Sequence, residues 1–158
     1  MLNKNDPDNA VLAMREAANR LIKRKEELWP LDELSVEGLS ARYGKCEFVS
    51  IFDNAKLVAG VIVSFRKPDY WPSDIVDISS IYISKLSVTD AYIGQKISSK
   101  IVGEIELLYS DSYRFVRLDC DAKRPKLNNI YLDMDFNPIG YCLVHTVYPT
   151  NFYEKKIP

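Results

Sequence analysis

Apolar residues near the start of the chain recur at helical spacing. Asp6 is a suitable N-cap, and Pro7 suits the first position of a helix. Beyond them, apolar side chains return every three or four residues, at Val11, Met14, Ala18, Leu21, Ile22 and Leu28. This pattern predicts a helix over about 7–28 that ends at Trp29-Pro30, because proline disfavours helix in the residue before it.

A short helix and a β-hairpin are predicted next. Ser35 can cap a helix that ends near Tyr43-Gly44. The period then changes to that of strands, with Glu47 to Phe52 and Leu57 to Phe65 on either side of a turn at residues 53–56. Because the second of these strands is apolar throughout, we expect both of its faces to be covered.

The second half of the chain alternates between strand and helix patterns. Residues 66–78, with two prolines, predict a loop that ends in a short strand. The segments that follow are a strand over 80–88, a helix over 95–109, a strand over 114–120, a helix over 125–134 and a strand over 139–147. This order predicts an α/β domain in which a crossover helix joins two neighbouring parallel strands.

Composition narrows the classes of function. A chain of 158 residues with 47% hydrophobic residues fits a single domain over 1–158, and a net charge of -1 gives no general attraction for nucleic acid or an anionic membrane. The apolar run Leu57 to Val63 is far shorter than the roughly 20 residues that span a bilayer. The three cysteines, Cys46, Cys120 and Cys142, are far apart and predict neither disulfides nor a thiolate metal site. A cytoplasmic protein is therefore expected.

His145 is the single histidine of the chain. One histidine excludes metal sites that need several, and no metal is expected. His145 alternates with Tyr141 and Leu143 in the last predicted strand, where a structural role is the simpler interpretation. The chemistry must therefore be sought in other residue types.

The strand over 80–88 contains a break in its alternation. Ile81 and Ile83 share one parity, whereas Leu86 and Val88 share the other, so the pattern slips by one residue across Ser84-Lys85. A β-bulge would explain the slip and would leave backbone groups unpaired for a ligand. A strand that is covered on both faces needs no bulge, and both interpretations stay open.

The segment from Thr89 to Lys100 joins this strand to the next helix. Such a junction directs free backbone N–H groups and the positive end of a helix dipole at one place, which suits a phosphate or pyrophosphate. Lys96 and Lys100, with Ser98 and Ser99, would strengthen the binding of an anion. An ordinary helix start with a charged, solvated face fits the same residues.

The order of these features resembles the GCN5-related N-acetyltransferase family. In that family a bulged fourth strand is followed by an Arg/Gln-x-x-Gly-x-Gly/Ala pyrophosphate loop, a helix, a fifth strand and a helix that carries a tyrosine. The corresponding runs here are YISKLSV, AYIGQKISSKIV, FVRLDCD, PKLNNIYLDMDF and PIGYCLV. The resemblance implies a mixed, mostly antiparallel twisted sheet with a central parallel pair splayed by a β-bulge and helices on both faces.

The pyrophosphate loop departs from the family pattern. Aligned on Gly94-Gln95, the leading Arg/Gln position is Ile93, and the two later small positions are Lys96 and Ser98. Glycine lets a phosphate approach the backbone closely, so Lys96 and Ser98 must either preserve the N–H cradle with their own backbone or weaken it. The positive charge of Lys96 could offset part of that loss.

The resemblance also implies a mechanism and a set of site residues. Acetyl-CoA or another acyl-CoA would lie between the splayed strands, and an amine would attack its thioester directly, with a backbone N–H stabilising the oxyanion. Tyr131 would protonate the leaving thiolate, although a core aromatic residue fits the same position. The residues expected at the acyl-CoA are Leu86, Ser87, Val88, Ile93, Gly94, Gln95, Lys96, Ile97, Ser98, Ser99, Asn128 and Tyr131.

The general base and the acceptor are less defined. Asp119 and Asp121, which end the fifth strand, and Asp77, which precedes the fourth, are candidate bases, with a water relay as the alternative. Trp29, Tyr70 and Trp71, with the tail after residue 147, would wall the site for a small-molecule or peptide amine, and a homodimer is possible. A catalytically weak CoA-binding sensor or interaction module is the alternative function.

Overall fold

The computed structural model describes residues 1–158 and forms two compact units. The first comprises Met1–Ser64 and Ile83–Glu104, and the second comprises Phe65–Tyr82 and Ile105–Pro158. The elements are β1 (Leu2–Asn3), α1 (Pro7–Lys23), α2 (Val36–Tyr43), β2 (Cys46–Asp53), β3 (Lys56–Ser64), β4 (Ser80–Val88), α3 (Ser98–Tyr109), β5 (Phe115–Asp121), α4 (Pro125–Asp133), β6 (Asn137–Val144) and β7 (Tyr148–Lys156), with short 3-10 turns at Leu31–Glu33 and Asp90–Tyr92.

The strands form a mixed, mostly antiparallel sheet, as predicted. Their order is β1-β2-β3-β4-β5-β7-β6. In the first unit β1, β2 and β3 pair antiparallel, and in the second unit β7 pairs antiparallel with both β5 and β6. The start of β4, Ser80 to Tyr82, pairs with β5 in parallel, which is the arrangement that a crossover helix between the two strands requires. None of the helices is both long and apolar enough to cross a membrane.

The first helix is shorter than the pattern predicts, because it ends at Lys23 rather than near residue 28. Lys25 follows with a φ of 57°, in the left-handed region. Its N–H donates to Ile22 O at 3.0 Å, and the N–H of Glu26 donates to Leu21 O at 2.9 Å. These two bonds form a Schellman motif that closes the helix. Because position 25 is lysine rather than the usual glycine, the sequence gives no signal that α1 ends here.

The second helix and the hairpin agree with the prediction. Ser35 Oγ accepts a hydrogen bond from the N–H of Gly38 at 3.0 Å, and Gly44 has a φ of 62° beyond the last turn of α2. The hairpin joins β2 to β3 through a turn in which Asn54 has a φ of 54°. Residues 58–64 of β3 are all buried, as the unbroken apolar run predicts.

Helix α1 packs closely on β3 in the first unit. A Cβ atom added to Gly60 would lie 2.5 Å from Ala10 O and 2.7 Å from Ala10 Cα, so only glycine fits at this position. Ala10 and Met14 are fully buried in the same core. The hairpin therefore packs directly on the apolar side of α1, with no side chain between the two backbones at Gly60.

The last part of the chain differs from the prediction in three places. Residues 66–78 contain no strand, and β6 ends at Val144 rather than Val147. His145 and Thr146, with φ values of 50° and 65°, form an exposed turn, so His145 does not alternate within a strand. The segment expected as an aromatic tail is β7. The turn lacks the Asn-Gly signal, and Pro149 with several charged residues hides the strand pattern of β7.

Candidate functional site

Of the two interpretations of β4, the one with irregular backbone agrees with the conformation of Lys85. This residue has a φ of 58°, which an ordinary strand residue does not adopt. The Oγ of Ser87 donates to Lys85 O at 2.8 Å, and Ser87 itself is buried. The carbonyl of Val88 accepts a hydrogen bond from Arg20 Nη2 at 3.1 Å. The backbone therefore changes direction at the position where the apolar parity slips, as a bulge requires.

The segment after β4 is anchored to the rest of the first unit at its start. Thr89 donates from its N–H to Val58 O and from its Oγ1 to Leu57 O, both at 2.9 Å. Asp90 forms an ion pair with Arg20, and the N–H of Asp90 donates to Glu16 Oε1 at 2.6 Å. These contacts hold the first residues of the segment against β3 and α1, and they fix where the following loop begins.

The helix after this segment begins later than predicted, at Ser98 rather than Gln95. Gly94 and Lys96 have φ values of 77° and 53°, and left-handed residues cannot continue a right-handed helix. Gln95, Lys96 and Ile97 therefore lie in a loop before α3, and Ile97 O accepts the N–H of Ile101 at 3.0 Å. The first N–H groups of α3 have no partner within the helix, so the positive end of its dipole faces this loop.

The loop borders a cavity within the first unit. The cavity has a volume of about 630 Å³, and Gln95, Ile97 and Lys100 contribute to its wall. Tyr92, whose hydroxyl donates to Asp53 Oδ2 at 3.1 Å, closes another part of it. Ile93 and Lys96 are exposed, so the side chains of the loop are free of the core and its backbone defines its shape.

Tyr131 lies in α4 and is the residue expected to act as general acid. Its ring packs against Phe136 and Tyr153, with centroid distances of 5.9 and 6.2 Å. Burial raises the pKa of the Tyr131 phenol well above its usual range, and the negative charge of Asp119 raises it further. The phenol therefore keeps its proton at neutral pH and can donate it, but it cannot act as a base.

Asp119 and Trp71 meet in the second unit. Asp119 Oδ2 accepts hydrogen bonds from Tyr70 Oη at 2.6 Å and from Trp71 Nε1 at 2.9 Å. Trp71 is only 4% exposed and packs against Tyr82 and Phe152 with centroid distances of 5.1 and 4.9 Å. The ring of Trp71, which was expected to wall an acceptor pocket, belongs to the core of the second unit and exposes little surface. Tyr70 is partly buried beside the same core.

The other two expected aromatic and acidic residues have separate surroundings. Trp29 lies in the first unit, partly buried against the core of α1 and α2, with Lys85 Nζ 4.7 Å from its ring centroid. Asp121 accepts the N–H of Lys123 at 2.9 Å and lies 3.6 Å from Arg124 Nε, which is the geometry of a capped turn at the end of β5. Asp119 is thus the carboxylate that is held by side chains, whereas Asp121 shapes the turn.

Asn128 has no hydrogen-bonding capacity left for a cofactor. Its Nδ2 donates to Asp121 O at 2.9 Å and to Arg124 O at 2.8 Å, while its Oδ1 accepts from Asn151 Nδ2 at 3.0 Å and from Tyr153 Oη at 2.7 Å. An amide group has two donors and two acceptor sites, and all four are used. The side chain, 7% exposed, ties the start of α4 to β7. Asn151 and Tyr153 lie in the tail that was expected to wall the acceptor site, and the sequence gives no sign of their contacts with Asn128.

Cys120 is a buried thiol next to these groups. Burial, together with the charges of Asp119 and Asp121, raises its pKa to about 12. A thiol with this pKa is almost entirely protonated at neutral pH and is a poor nucleophile. A covalent acyl-cysteine step therefore finds no support in this site. The described residues contain no cluster of three or more His, Cys, Asp or Glu side chains that could hold a metal ion.

Comparisons with known proteins identify the fold. No family model and no curated protein sequence matches the chain. A GNAT family acetyltransferase from Listeria monocytogenes aligns with a TM-score of 0.72 at 19% identity, over 99% of this chain and 94% of that one. An acetyltransferase from Salmonella typhimurium that modifies the N-terminal serine of ribosomal protein L7/L12 aligns with a TM-score of 0.69 at 16% identity, over 99% and 94%.

A third solved structure contains two bound molecules. Aminoglycoside acetyltransferase AAC(6')-Ib, in complex with coenzyme A and kanamycin, aligns with a TM-score of 0.71 at 14% identity, over 99% of this chain and 95% of that one. The chain has the GNAT fold. In this GNAT-fold chain, the residues predicted for the acyl-CoA fall mainly in the first unit, between Leu86 and Ser99. The predicted acid and base, Tyr131 and Asp119, fall in the second.

Proposed function

We propose that this chain is an N-acyltransferase that moves an acetyl or other acyl group from acyl-CoA to a primary amine of a small molecule or peptide. The observation that carries the proposal is the likeness of the fold over 99% of the chain to acetyltransferases, one of them bound to coenzyme A. The named acceptors of these proteins, an aminoglycoside and an N-terminal serine, share an amino group. An amine is therefore the acceptor chemistry proposed here.

The first unit would bind the pyrophosphate of acyl-CoA. The backbone N–H groups from Ile93 to Ser99 and the dipole of α3 would accept the negative charge. The left-handed φ of Lys96 supports this role, because the residue adopts a backbone conformation that glycine favours. Its exposed ammonium group would add a charge-assisted contact. The proposed site thus needs no glycine at this position.

The irregular part of β4 would bind the rest of the acyl-CoA. The backbone of Leu86, Ser87 and Val88 would pair with the pantetheine amides as an added strand does. The proposed reaction also needs a backbone N–H that is not bonded within the sheet and can donate to the thioester carbonyl oxygen as negative charge develops there. The change of direction at Lys85 supports this role.

Two side chains, Tyr131 and Asp119, would carry out the proton transfers. The nitrogen lone pair of the amine would attack the thioester carbonyl carbon, and the bond between this carbon and sulfur would break. The leaving thiolate would take the phenolic proton of Tyr131, and the ammonium proton released from the amine would pass to Asp119, directly or through water. The raised pKa of Tyr131 keeps the phenol protonated at neutral pH, so its proton is present when the thiolate forms.

Calorimetry and a thiol-release assay would test the proposal in two steps. Titration with acetyl-CoA measures binding, and the release of free CoA thiol over a panel of primary amines measures transfer. The expected result is binding below millimolar concentration and amine-dependent thiol release. An absence of binding at millimolar acetyl-CoA would refute both the enzyme and its CoA site. Tight binding without transfer to any amine would favour the sensor or interaction module.

A further inference from the structure

The loop before β4 holds the carboxylate of Asp119 at one oxygen. We propose that Tyr70 and Trp71 are positioning residues, whose two hydrogen bonds to Asp119 Oδ2 orient this carboxylate to accept the proton of the acceptor amine. The inference rests on the proposed function, in which Asp119 is the proton acceptor. It adds the loop over residues 65–79 to the catalytic apparatus, although neither Tyr70 nor Trp71 transfers a proton itself.

The geometry fixes the carboxylate in two ways. Tyr70 Oη, at 2.6 Å, and Trp71 Nε1, at 2.9 Å, both donate to the same oxygen of Asp119. Hydrogen bonds to an ionised carboxylate are roughly twice as strong as neutral ones, and two donors on one oxygen prevent rotation about the last side-chain bond. The direction of the second oxygen, Oδ1, is thereby set by residues that lie outside β5.

One of the two donors is immobile because it belongs to the core. The Trp71 indole is 4% exposed and meets the rings of Tyr82 and Phe152 nearly edge to face, with interplanar angles of 88° and 67°. The N–H of a buried indole needs a partner, and Asp119 provides it. The indole cannot turn away without breaking these ring contacts, so Asp119 is held against a rigid group.

The loop that carries the two donors is closed on itself. Lys67 Nζ donates to Pro72 O at 3.0 Å and to Ile75 O at 2.6 Å, and the N–H of Lys67 donates to Asp77 Oδ2 at 3.0 Å. These three bonds span the segment that contains Tyr70 and Trp71. A loop with its ends joined in this way keeps its conformation between successive turnovers.

Buried Arg117 fastens the loop to β5. Its Nη1 donates to Val76 O at 2.7 Å and to Tyr82 Oη at 3.1 Å, and its Nε donates to Glu154 Oε2 at 2.7 Å. Tyr82 in turn donates to Asp77 at 2.7 Å. Arg117 lies two residues before Asp119 on the same strand. The loop with the two donors is therefore attached to β5, the same strand that carries Asp119.

The charges around Asp119 link its position to the proposed acid. Groups that interact with this carboxylate include Tyr70, Trp71, Cys120 and Tyr131, and its charge raises the pKa of both Cys120 and Tyr131. Asp121 and Arg124 act on Cys120 from the end of β5. A carboxylate that moved would change the acidity of Tyr131 as well as the acceptance of the amine proton.

Two conservative substitutions test the positioning role by pH dependence. Tyr70→Phe and Trp71→Phe each remove one donor and keep an aromatic ring. We expect kcat/KM with an amine acceptor to fall about tenfold in each variant. The acidic limb of the pH profile should also move to higher pH, because a carboxylate that loses a donor is easier to protonate. Affinity for acetyl-CoA should not change.

A tyrosine of the same unit supplies the matched control. Tyr113 stacks on Phe65 with a centroid distance of 5.6 Å, so Tyr113→Phe removes a hydroxyl and keeps the ring contact. This variant should keep the rate and pH profile of the original protein. If Tyr70→Phe and Trp71→Phe also keep the original pH profile, even with lower thermal stability, the positioning role is refuted.

A measurement without turnover separates this inference from the proposed function. In a proton–nitrogen correlation spectrum of the whole protein, the Trp71 indole N–H should resonate downfield, since it donates to a carboxylate. Asp119→Asn should move this resonance upfield and leave that of Trp29, the other tryptophan, in place. No movement would overturn the inference whatever the activity, whereas a wild-type protein that transfers no acyl group would overturn the proposed function whatever the spectrum.

Discussion

The two candidate regions of this GNAT-fold chain are built from different chemical groups. In the first unit, the loop before α3 is exposed, and left-handed backbone at Gly94 and Lys96 gives it its shape. In the second unit, Asp119 is held by two side-chain donors, Asn128 uses all four of its hydrogen-bonding positions, and Tyr131 has a raised pKa.

This difference indicates which positions should tolerate amino-acid substitutions. A phosphate site made of backbone N–H groups requires a particular backbone conformation, and any residue that can adopt this conformation is acceptable. Lys96 is such a residue. A carboxylate and a phenol that exchange protons require those atoms at those places. Substitutions in the second unit should therefore have large effects, and substitutions in the loop small ones. The following predictions test that ranking, in order from the largest expected effect to the smallest.

The largest effect is expected for Tyr131→Phe. Removal of a general acid commonly lowers a rate by about 10²- to 10⁴-fold, and we expect a loss of at least about 10²-fold in kcat. Because the pKa of Tyr131 is raised, its ionisation should not limit turnover below about pH 10. The measurement is kcat for thiol release across pH, with affinity for acetyl-CoA from calorimetry.

A change in affinity would assign Tyr131 a different role. The ring contacts with Phe136 and Tyr153 remain in Tyr131→Phe, so the fold and the affinity for acetyl-CoA should be preserved. Equal kcat in the variant and the original protein at every pH would remove the general acid. The same variant with weakened binding but normal kcat would make Tyr131 a binding residue.

The next largest effect is expected for Asn128→Ala, on stability. The change would remove the side-chain donor from the carbonyls of Asp121 and Arg124, each of which keeps a backbone N–H donor, and would leave the side chains of Asn151 and Tyr153 without this acceptor. Loss of a buried, fully bonded amide should lower the free energy of unfolding by about 2–4 kcal/mol. Urea denaturation measures this loss. A change below about 0.5 kcal/mol would show that the network does not hold α4 to β7.

Several of these features could be predicted from residues alone. The slip in parity across Ser84-Lys85 located the irregular backbone of β4, because the sides of a strand alternate and an extra residue reverses them. Ser35 and Gly44 marked the two ends of α2 through their capping chemistry. Local rules of this kind succeed where one residue and its neighbours determine the conformation.

Other features depend on partners that are distant in sequence. The Schellman motif at Lys25 and the left-handed turn at His145-Thr146 place ordinary residues where glycine or asparagine is the usual signal. The resemblance implies a cofactor contact for Asn128 and an acceptor wall that includes Trp71. Their partners in the structure, Asn151 and Phe152, lie on a strand that carries no clear pattern in the sequence. Tertiary contacts decide these positions, and a single sequence does not display them.

A smaller effect is expected for Lys96→Ala in the first unit. If the ammonium group contacts the pyrophosphate, its loss should lower affinity for acetyl-CoA by about tenfold, and the difference should shrink as salt is raised. Affinity for pantetheine, which lacks the pyrophosphate, should not change. Calorimetry with both ligands at two salt concentrations gives the comparison. An equal loss for both ligands would refute the phosphate contact, and Lys123→Ala is a control for the removal of one surface charge.

The smallest effect is expected for Gly94→Ala in the same loop. The direction in which it changes stability tests whether the loop needs its left-handed backbone. A Cβ atom at Gly94 or at Gly103 would meet nothing within 4 Å, so neither substitution by alanine is limited by space. Gly94 has a φ of 77°, which alanine adopts at a cost of about 1 kcal/mol, whereas Gly103 lies within α3 and alanine should stabilise the helix by about 0.5–1 kcal/mol. Gly94→Ala should therefore lower the unfolding midpoint, and Gly103→Ala should raise it. If both raised it, the left-handed conformation of the loop would not be needed by the folded chain.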